Sequence, residues 1–175
     1  RAVLRLYPTP TNKIVVFFGV PDFDAALKSY LEISKRFGQF LQAFELISDV
    51  GMLFLKETKM FRSNIERSKS DWHILIELGF NNSSVEEEVY DALNDLFIKN
   101  IISNVVVGDT ETKARNLWKI REDIPEANRK IGAITSHDIA LPLENMESFI
   151  NKSVIEIKEI NKSLRVNCFG HMGDG

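Results

Sequence analysis

The stretch Ile14-Val15-Val16-Phe17-Phe18-Gly19-Val20 is the longest apolar run of the chain and decides the fold. Its β-branched and aromatic residues follow one another without polar alternation, which predicts a strand buried on both faces. Pro21-Asp22 then opens a helix, and Gly38 is placed to end it. Downstream, the pattern predicts a second strand over residues 40–46 and a short helix over residues 48–56.

The strand–helix–strand pattern recurs twice more along the chain. In the second unit, a strand over residues 72–78 precedes a helix that a Ser84–Glu87 capping box would begin. Further elements of the same kind complete the pattern: a strand over 101–107, a helix over about 110–124, a strand over 138–141, a helix over 144–160 and a strand over 164–169. The polar residues 61–71 lack periodicity and predict an exposed loop.

Three compact units of this kind favour an α+β fold. We expect a ferredoxin-like sandwich, duplicated, with an antiparallel sheet and helices packed on one side. A doubly wound sheet is the alternative. The sequence contains neither G-x-G-x-x-G nor G-x-x-x-x-G-K-[ST], so the usual signature of a self-contained nucleotide site is missing.

Composition narrows the class of protein. The chain has 175 residues, of which 44% are hydrophobic and 27% charged, enough for one medium domain or two small ones. A net charge of −3 argues against a general nucleic-acid binder. The single cysteine, Cys168, excludes an internal disulfide and suits a reducing compartment. We therefore expect a cytoplasmic protein, with a peripheral position at the inner membrane as the alternative. Since Arg1 does not resemble a start, we also expect a fragment, or else a processed protein.

Arg121 stands out because it falls within the apolar stripe of a predicted helix, beside Leu117, Trp118 and Ile124. A guanidinium keeps its charge, so burial requires an anion. One interpretation is a structural ion pair with Glu77 or Asp138, or a snorkelling side chain. The other is a bidentate clamp on a substrate carboxylate.

The three histidines differ in context. His73 and Glu77 share one strand face, where a metal pair, as in a metal-dependent lyase, competes with an ordinary half-buried histidine. His137 precedes Asp138 in a predicted strand. His171 lies between glycines in Phe169-Gly170-His171-Met172-Gly173-Asp174-Gly175, either as a tight-turn residue or as a functional side chain held at a strand end. Glu45, which ends the second predicted strand, is interpreted as a solvated strand end.

Four segments together resemble one family. Residues 117–127 are similar to the "LWxxRExxxEA" helix of FAD-linked oxidases, and residues 136–142 resemble the same family's "HDxSxP" strand. Residues 169–175 resemble the start of its "GHxGDGNLHxN" signature, and residues 43–48 its "AFExxS" segment. The family comprises D-lactate dehydrogenase, the D subunit of glycolate oxidase and D-2-hydroxyglutarate dehydrogenase.

The resemblance implies that residues 1–175 are a fragment of the substrate (cap) domain of a two-domain flavoenzyme. The FAD-binding domain would lie upstream and act as a partner in cis, and the end of the "GHxGDGNLHxN" signature would lie downstream. Such an enzyme passes a hydride from a D-2-hydroxy acid to flavin. By the same resemblance, Arg121 binds the substrate carboxylate, His171 is a catalytic ligand of a divalent metal such as zinc, and His137 is a candidate base.

The substrate and the function class each have an alternative. Members specific for hydroxyglutarate carry a lysine where this chain has Ser136, which favours a simpler acid such as lactate or glycolate. The rival hypothesis is a non-catalytic ferredoxin-like module that binds a small acid through Arg121. A homodimer is compatible with either hypothesis.

Overall fold

The computed structural model describes residues 1–3, 8–61 and 70–173. Most of the predicted loop at residues 61–71, together with Asp174 and Gly175, lies outside the described residues. Five strands are present in the described part: β1 (Asn12–Val20), β2 (Leu41–Ser48), β3 (Trp72–Phe80), β4 (Ser103–Gly108) and β5 (Phe169–His171). The helices there are α1 (Phe23–Phe37), α2 (Asp49–Glu57), α3 (Ser84–Ile98), α4 (Glu111–Glu122), α5 (Ile124–Ile131) and α6 (Leu143–Ile160).

The strands form one antiparallel sheet in the order β4-β1-β3-β2-β5. The first four strands and helices α1 and α3 reproduce the ferredoxin-like arrangement, which confirms the predicted α+β class. The described residues contain one such unit, so the predicted duplication is not seen among them. Strand β5 extends the sheet at the edge of β2.

Helices cover both faces of the sheet, which corrects the expectation that they pack on one side. Ile14, Val16 and Phe18 of β1 pack with α1 and α3, whereas Val15 and Phe17 pack with α2, α4 and α5. The physical reason is the continuous apolar run of β1. A strand that is hydrophobic at every position can leave neither face to water.

Helix termini follow local chemistry. Asp22 caps α1 by accepting a hydrogen bond from the backbone N of Ala25 at 2.7 Å. The predicted Ser84–Glu87 capping box is wrong: Ser83 occupies the cap position, and its side chain makes no capping bond. The predicted helix of residues 110–124 divides into α4 and α5 just before Pro125, because proline lacks the N–H that a continuous helix would need there.

The third predicted unit is only partly right. Helix α6 forms as predicted, but residues 132–142 are neither helix nor strand, so the strand predicted at 138–141 is wrong. Most of that segment is exposed, with Ile139 at 55%, and no described strand pairs with it. The strand predicted at 164–169 begins later and is shorter: it corresponds to β5, Phe169–His171. No helix in the described part of the chain combines the length and hydropathy that a membrane span requires.

Candidate functional site

Glu45 and His171 form a cross-strand pair at the edge of the sheet. Strands β2 and β5 run antiparallel, with Glu45 opposite His171 and Ile47 opposite Phe169. Residues directly opposite each other project from the same face. The carboxylate Oε1 of Glu45 lies 3.1 Å from Nδ1 of His171. Since Ile47 belongs to the core beneath α2, α4 and α5, the pair lies on that face.

Met172 anchors the glycine turn in the opposite core. Its side chain is fully buried among residues of α1, α3 and the sheet, and its backbone N donates to the carbonyl of Phe44 at 2.8 Å. The hydroxyl of Tyr30 donates to the carbonyl of Gly173 at 3.0 Å. Because side chains alternate along a strand, burying Met172 on one face places His171 on the other.

Ser48 holds the start of β5. Its backbone N donates to the carbonyl of Cys168 at 2.9 Å, and the backbone N of Cys168 donates to Ser48 Oγ at 3.2 Å. Ser48 Oγ also donates to the side-chain oxygen of Asn167 at 2.9 Å, and the Asn167 amide donates to Asn128 of α5 at 2.8 Å. The "AFExxS" segment therefore supplies both the carboxylate of the site and the residue that fixes the neighbouring strand.

Arg121 reaches the same carboxylate from α4. Its Nε donates to Oε2 of Glu45 at 2.6 Å, and its guanidinium lies 4.7 Å from the ring centroid of Phe169. Helix α4 is anchored by its buried residues Leu117 and Ile120. Arg121 and His171, 50 residues apart in sequence, therefore meet at Glu45.

Charge explains this arrangement. Glu45 is only 7% exposed, and a buried carboxylate is costly unless it is paired. Arg121 supplies the positive charge and keeps 22% of its side chain exposed. Among the described residues, Nε is the only atom of Arg121 with a hydrogen-bond partner. The two Nη groups form the end of the guanidinium fork, which can receive a carboxylate through two parallel hydrogen bonds.

The structure corrects several expectations about this region. The partner of Arg121 is neither Glu77 nor Asp138, and Glu45 is a buried bridging residue instead of a solvated strand end. Glu77 accepts from Lys13 at 2.8 Å and from the indole N–H of Trp118 at 2.7 Å.

The described contacts of His73 and His137 do not include Glu45 or Arg121. His73 is buried, stacks on Phe17 and lies 3.7 Å from Asp49, so His73 and Glu77 have separate partners and form no metal pair. His137 is exposed in the irregular segment, and no described contact joins it to Glu45 or His171.

The capacity of the site to bind a metal or an anion depends on its donor groups. The described residues contain no group of three or more His, Cys, Asp or Glu side chains suited to a metal ion. His171 offers one imidazole, which is compatible with a metal ligand but does not complete a site. A separate cleft of about 200 Å³ is lined by Asp22, Asp71 and Glu147. Three carboxylates there disfavour an acid substrate.

Cys168 is a packed residue next to β5. Burial raises the pKa of its thiol, because the thiolate loses hydration. A raised thiol pKa argues against a role as a nucleophile.

The chain belongs to the family of FAD linked oxidases, C-terminal domain, whose family model matches residues 9–175. It is 32% identical, over 96% of its length, to a mitochondrial protein of Schizosaccharomyces pombe whose name, D-lactate dehydrogenase, is provisional. It is 28% identical to the mitochondrial D-2-hydroxyglutarate dehydrogenase of Arabidopsis thaliana, over 96% of this chain. It is 26% identical to the D-2-hydroxyglutarate–pyruvate transhydrogenase of Saccharomyces cerevisiae, over 91% of this chain.

The chain spans about a third of the length of these relatives, with 33%, 30% and 34% of each covered. The family is thus established for the domain, and the family name implies FAD.

Proposed function

We propose that this chain is the substrate domain of a longer FAD-dependent 2-hydroxy-acid dehydrogenase. The whole enzyme would move a hydride from the α-carbon of a D-2-hydroxy acid to the flavin. One observation carries the proposal: Arg121 and His171, the residues expected to hold the two ends of such a substrate, contact the same carboxylate. Membership of the FAD-linked oxidase family supports it.

Arg121 would bind the substrate carboxylate through its two Nη groups. Its Nε is already engaged by Glu45, so the guanidinium is oriented before the acid arrives. Packing against the Phe169 ring restrains it further. Hydrogen bonds to charged groups are worth roughly 1.5–3 kcal/mol each, which is enough to orient a small anion.

His171 would lie at the hydroxyl end of the substrate and would hold a divalent cation such as zinc through Nε2. A bound cation would lower the pKa of the substrate hydroxyl. Its other ligands would have to come from outside the described residues. FAD, bound mainly by a separate domain in cis, would supply the hydride acceptor. No described contact supports the expected role of His137 as a base.

The substrate class follows from the charge at the site. Arg121 provides one cationic fork, and Ser136 stands where the hydroxyglutarate-specific members carry a lysine. We therefore propose D-lactate or glycolate over D-2-hydroxyglutarate. As to compartment, two of the relatives above are named as mitochondrial, and a chain with one cysteine suits the mitochondrial matrix as well as the cytoplasm.

The test is flavin reduction in the intact gene product that carries this domain. Purified protein is mixed anaerobically with D-lactate, glycolate or D-2-hydroxyglutarate, and loss of the oxidised flavin absorbance is followed. We expect bleaching by a D-2-hydroxy acid. A product without flavin, or one that no 2-hydroxy acid reduces, would contradict the proposal and favour the small-acid-binding module.

The role of Arg121 is tested with Arg121→Lys, which keeps a charge for Glu45 but removes the fork. We expect the second-order rate constant of flavin reduction by the acid to fall at least about tenfold, which corresponds to the loss of one charge-assisted hydrogen bond. The matched control is Arg115→Lys on the same helix, whose exposed side chain pairs with Glu111. An unchanged rate in Arg121→Lys would remove the anchoring role.

A further inference from the structure

Glu45 uses both carboxylate oxygens on the two residues of the proposed site. Oε1 faces Nδ1 of His171 at 3.1 Å, and Oε2 accepts from Nε of Arg121 at 2.6 Å. Its strand register places it directly opposite His171, and its burial keeps water from competing for these bonds.

The contact between the Glu45 carboxylate and His171 determines which ring nitrogen carries the hydrogen. An ionised carboxylate is only an acceptor, so Nδ1 of His171 must carry the hydrogen in the contact with Oε1. In the neutral ring the lone pair is then on Nε2. Nε2 lies over the main chain of Gly173, where a Cβ atom would come within 2.8 Å.

We propose that Glu45 is the positioning residue of the site. It holds His171 as the Nδ1–H tautomer and holds Arg121 by its Nε edge, so that the imidazole ring and the Nη fork are oriented for substrate binding. The proposal rests on the proposed function for the identity of the ligand. The inference about the tautomer of His171 depends only on the geometry of its contact with Glu45.

A glutamine at position 45 keeps the size of the side chain but removes its charge and changes its hydrogen-bonding groups. The amide has one acceptor and one donor, whereas both neighbours of Glu45 present N–H groups. With the amide oxygen on the always-protonated Arg121, the NH₂ faces His171 and favours the lone pair on Nδ1. The variant Glu45→Gln therefore moves the proton of His171 to Nε2 without changing the size of the side chain.

The experiment uses the intact gene product labelled with ¹⁵N-histidine, freed of metal by chelation and held at mildly alkaline pH. Long-range ¹H–¹⁵N spectra distinguish protonated from unprotonated ring nitrogens, and the variant His171→Gln assigns the signals. We expect protonated Nδ1 in the wild type and protonated Nε2 in Glu45→Gln. Glu57→Gln, at an exposed glutamate paired with Arg165, is the matched control and leaves the wild-type pattern.

A kinetic readout accompanies the spectra. Loss of the partner that orients a ligand-binding histidine costs about 10–100-fold in activity, and we expect flavin reduction in Glu45→Gln to fall within that range. A wild type with protonated Nε2 would overturn the inference even if Glu45→Gln does not fold, as would a Glu45→Gln protein with unchanged tautomer and rate. If the wild type reduces no flavin yet shows the Nδ1–H form, the function fails and the positioning of His171 stands.

Discussion

The main chain of Gly173 lies against the imidazole of His171: a Cβ atom added at this glycine would come within 2.8 Å of Nε2. The nearest atoms belong to a side chain that the site needs in place, so the ring would have to move. Gly173→Ala should therefore shift His171 and lower the free energy of unfolding by about 1 kcal/mol, the cost of moving a partly exposed side chain off its preferred rotamer.

Gly170 provides the internal control, because a Cβ atom there meets nothing within 4 Å. Gly170→Ala should stay within about 0.5 kcal/mol of the wild type. Urea unfolding of both variants gives the comparison. Equal stabilities, together with an unmoved His171 signal in Gly173→Ala, would show that the close approach does not constrain the ring.

Ser48 should matter more than an ordinary strand-end serine. Ser48→Ala removes the hydroxyl that binds both Asn167 and the backbone N of Cys168, leaving partly buried polar groups unpaired. We expect a loss of about 1–3 kcal/mol in stability. Ser148→Ala, at an exposed serine of α6, should change it by less than about 0.5 kcal/mol. Thermal unfolding compares the stabilities of the two variants, and similar melting temperatures would refute the role of Ser48.

Met172 should be the main apolar anchor of the glycine turn. It is fully buried, and Met172→Ala would leave a cavity that costs about 2–5 kcal/mol. Because the same residue ties β5 to Phe44, hydrogen exchange at Phe169–His171 should also accelerate. Leu31→Ala, at a position 55% exposed, is the control and should leave exchange in β5 unchanged. Unaltered exchange in Met172→Ala would contradict this account.

Cys168 should be a slow nucleophile in the folded protein. Burial raises the pKa of its thiol above that of an exposed cysteine, so less of it is thiolate at any given pH. Alkylation by iodoacetamide should be slower than in urea, and its pH profile should lie at higher pH than that of the unfolded chain. Mass spectrometry of the peptide containing Cys168 gives both rates. Equal rates in the folded and unfolded states would contradict the burial.

Much of the fold could be predicted because its signals are local. The apolar run of β1 and the helical spacing after Asp22 mark elements whose limits the structure confirms closely. The burial of β1 on both faces was also predicted from its sequence. Which helix covers which face depends on how the chain connects the strands, and hydrophobic periodicity does not encode those connections. The strand predicted at 138–141 failed because a short apolar stretch forms a strand only when a neighbour pairs with it.

The site was predictable in part, because two of its residues carry local signals in the sequence. Arg121 is conspicuous as a charge within an apolar stripe, and His171 as a histidine between glycines. Glu45 carries no such local signal, since a glutamate at a strand end is ordinary. Its role depends on the register between β2 and β5, 126 residues apart in sequence. The available signal was its place within the "AFExxS" segment, which resembles the FAD-linked oxidases.

The central claim is that Arg121 and His171 hold opposite ends of one hydroxy acid. A crystal structure of the intact flavoprotein with bound D-lactate, or with the unreactive analogue oxalate, tests it most directly. We predict a carboxylate within about 2.7–3.2 Å of the Nη atoms of Arg121, with the remaining oxygen directed toward His171. An acid bound elsewhere, with Arg121 contacting only Glu45, would contradict the account.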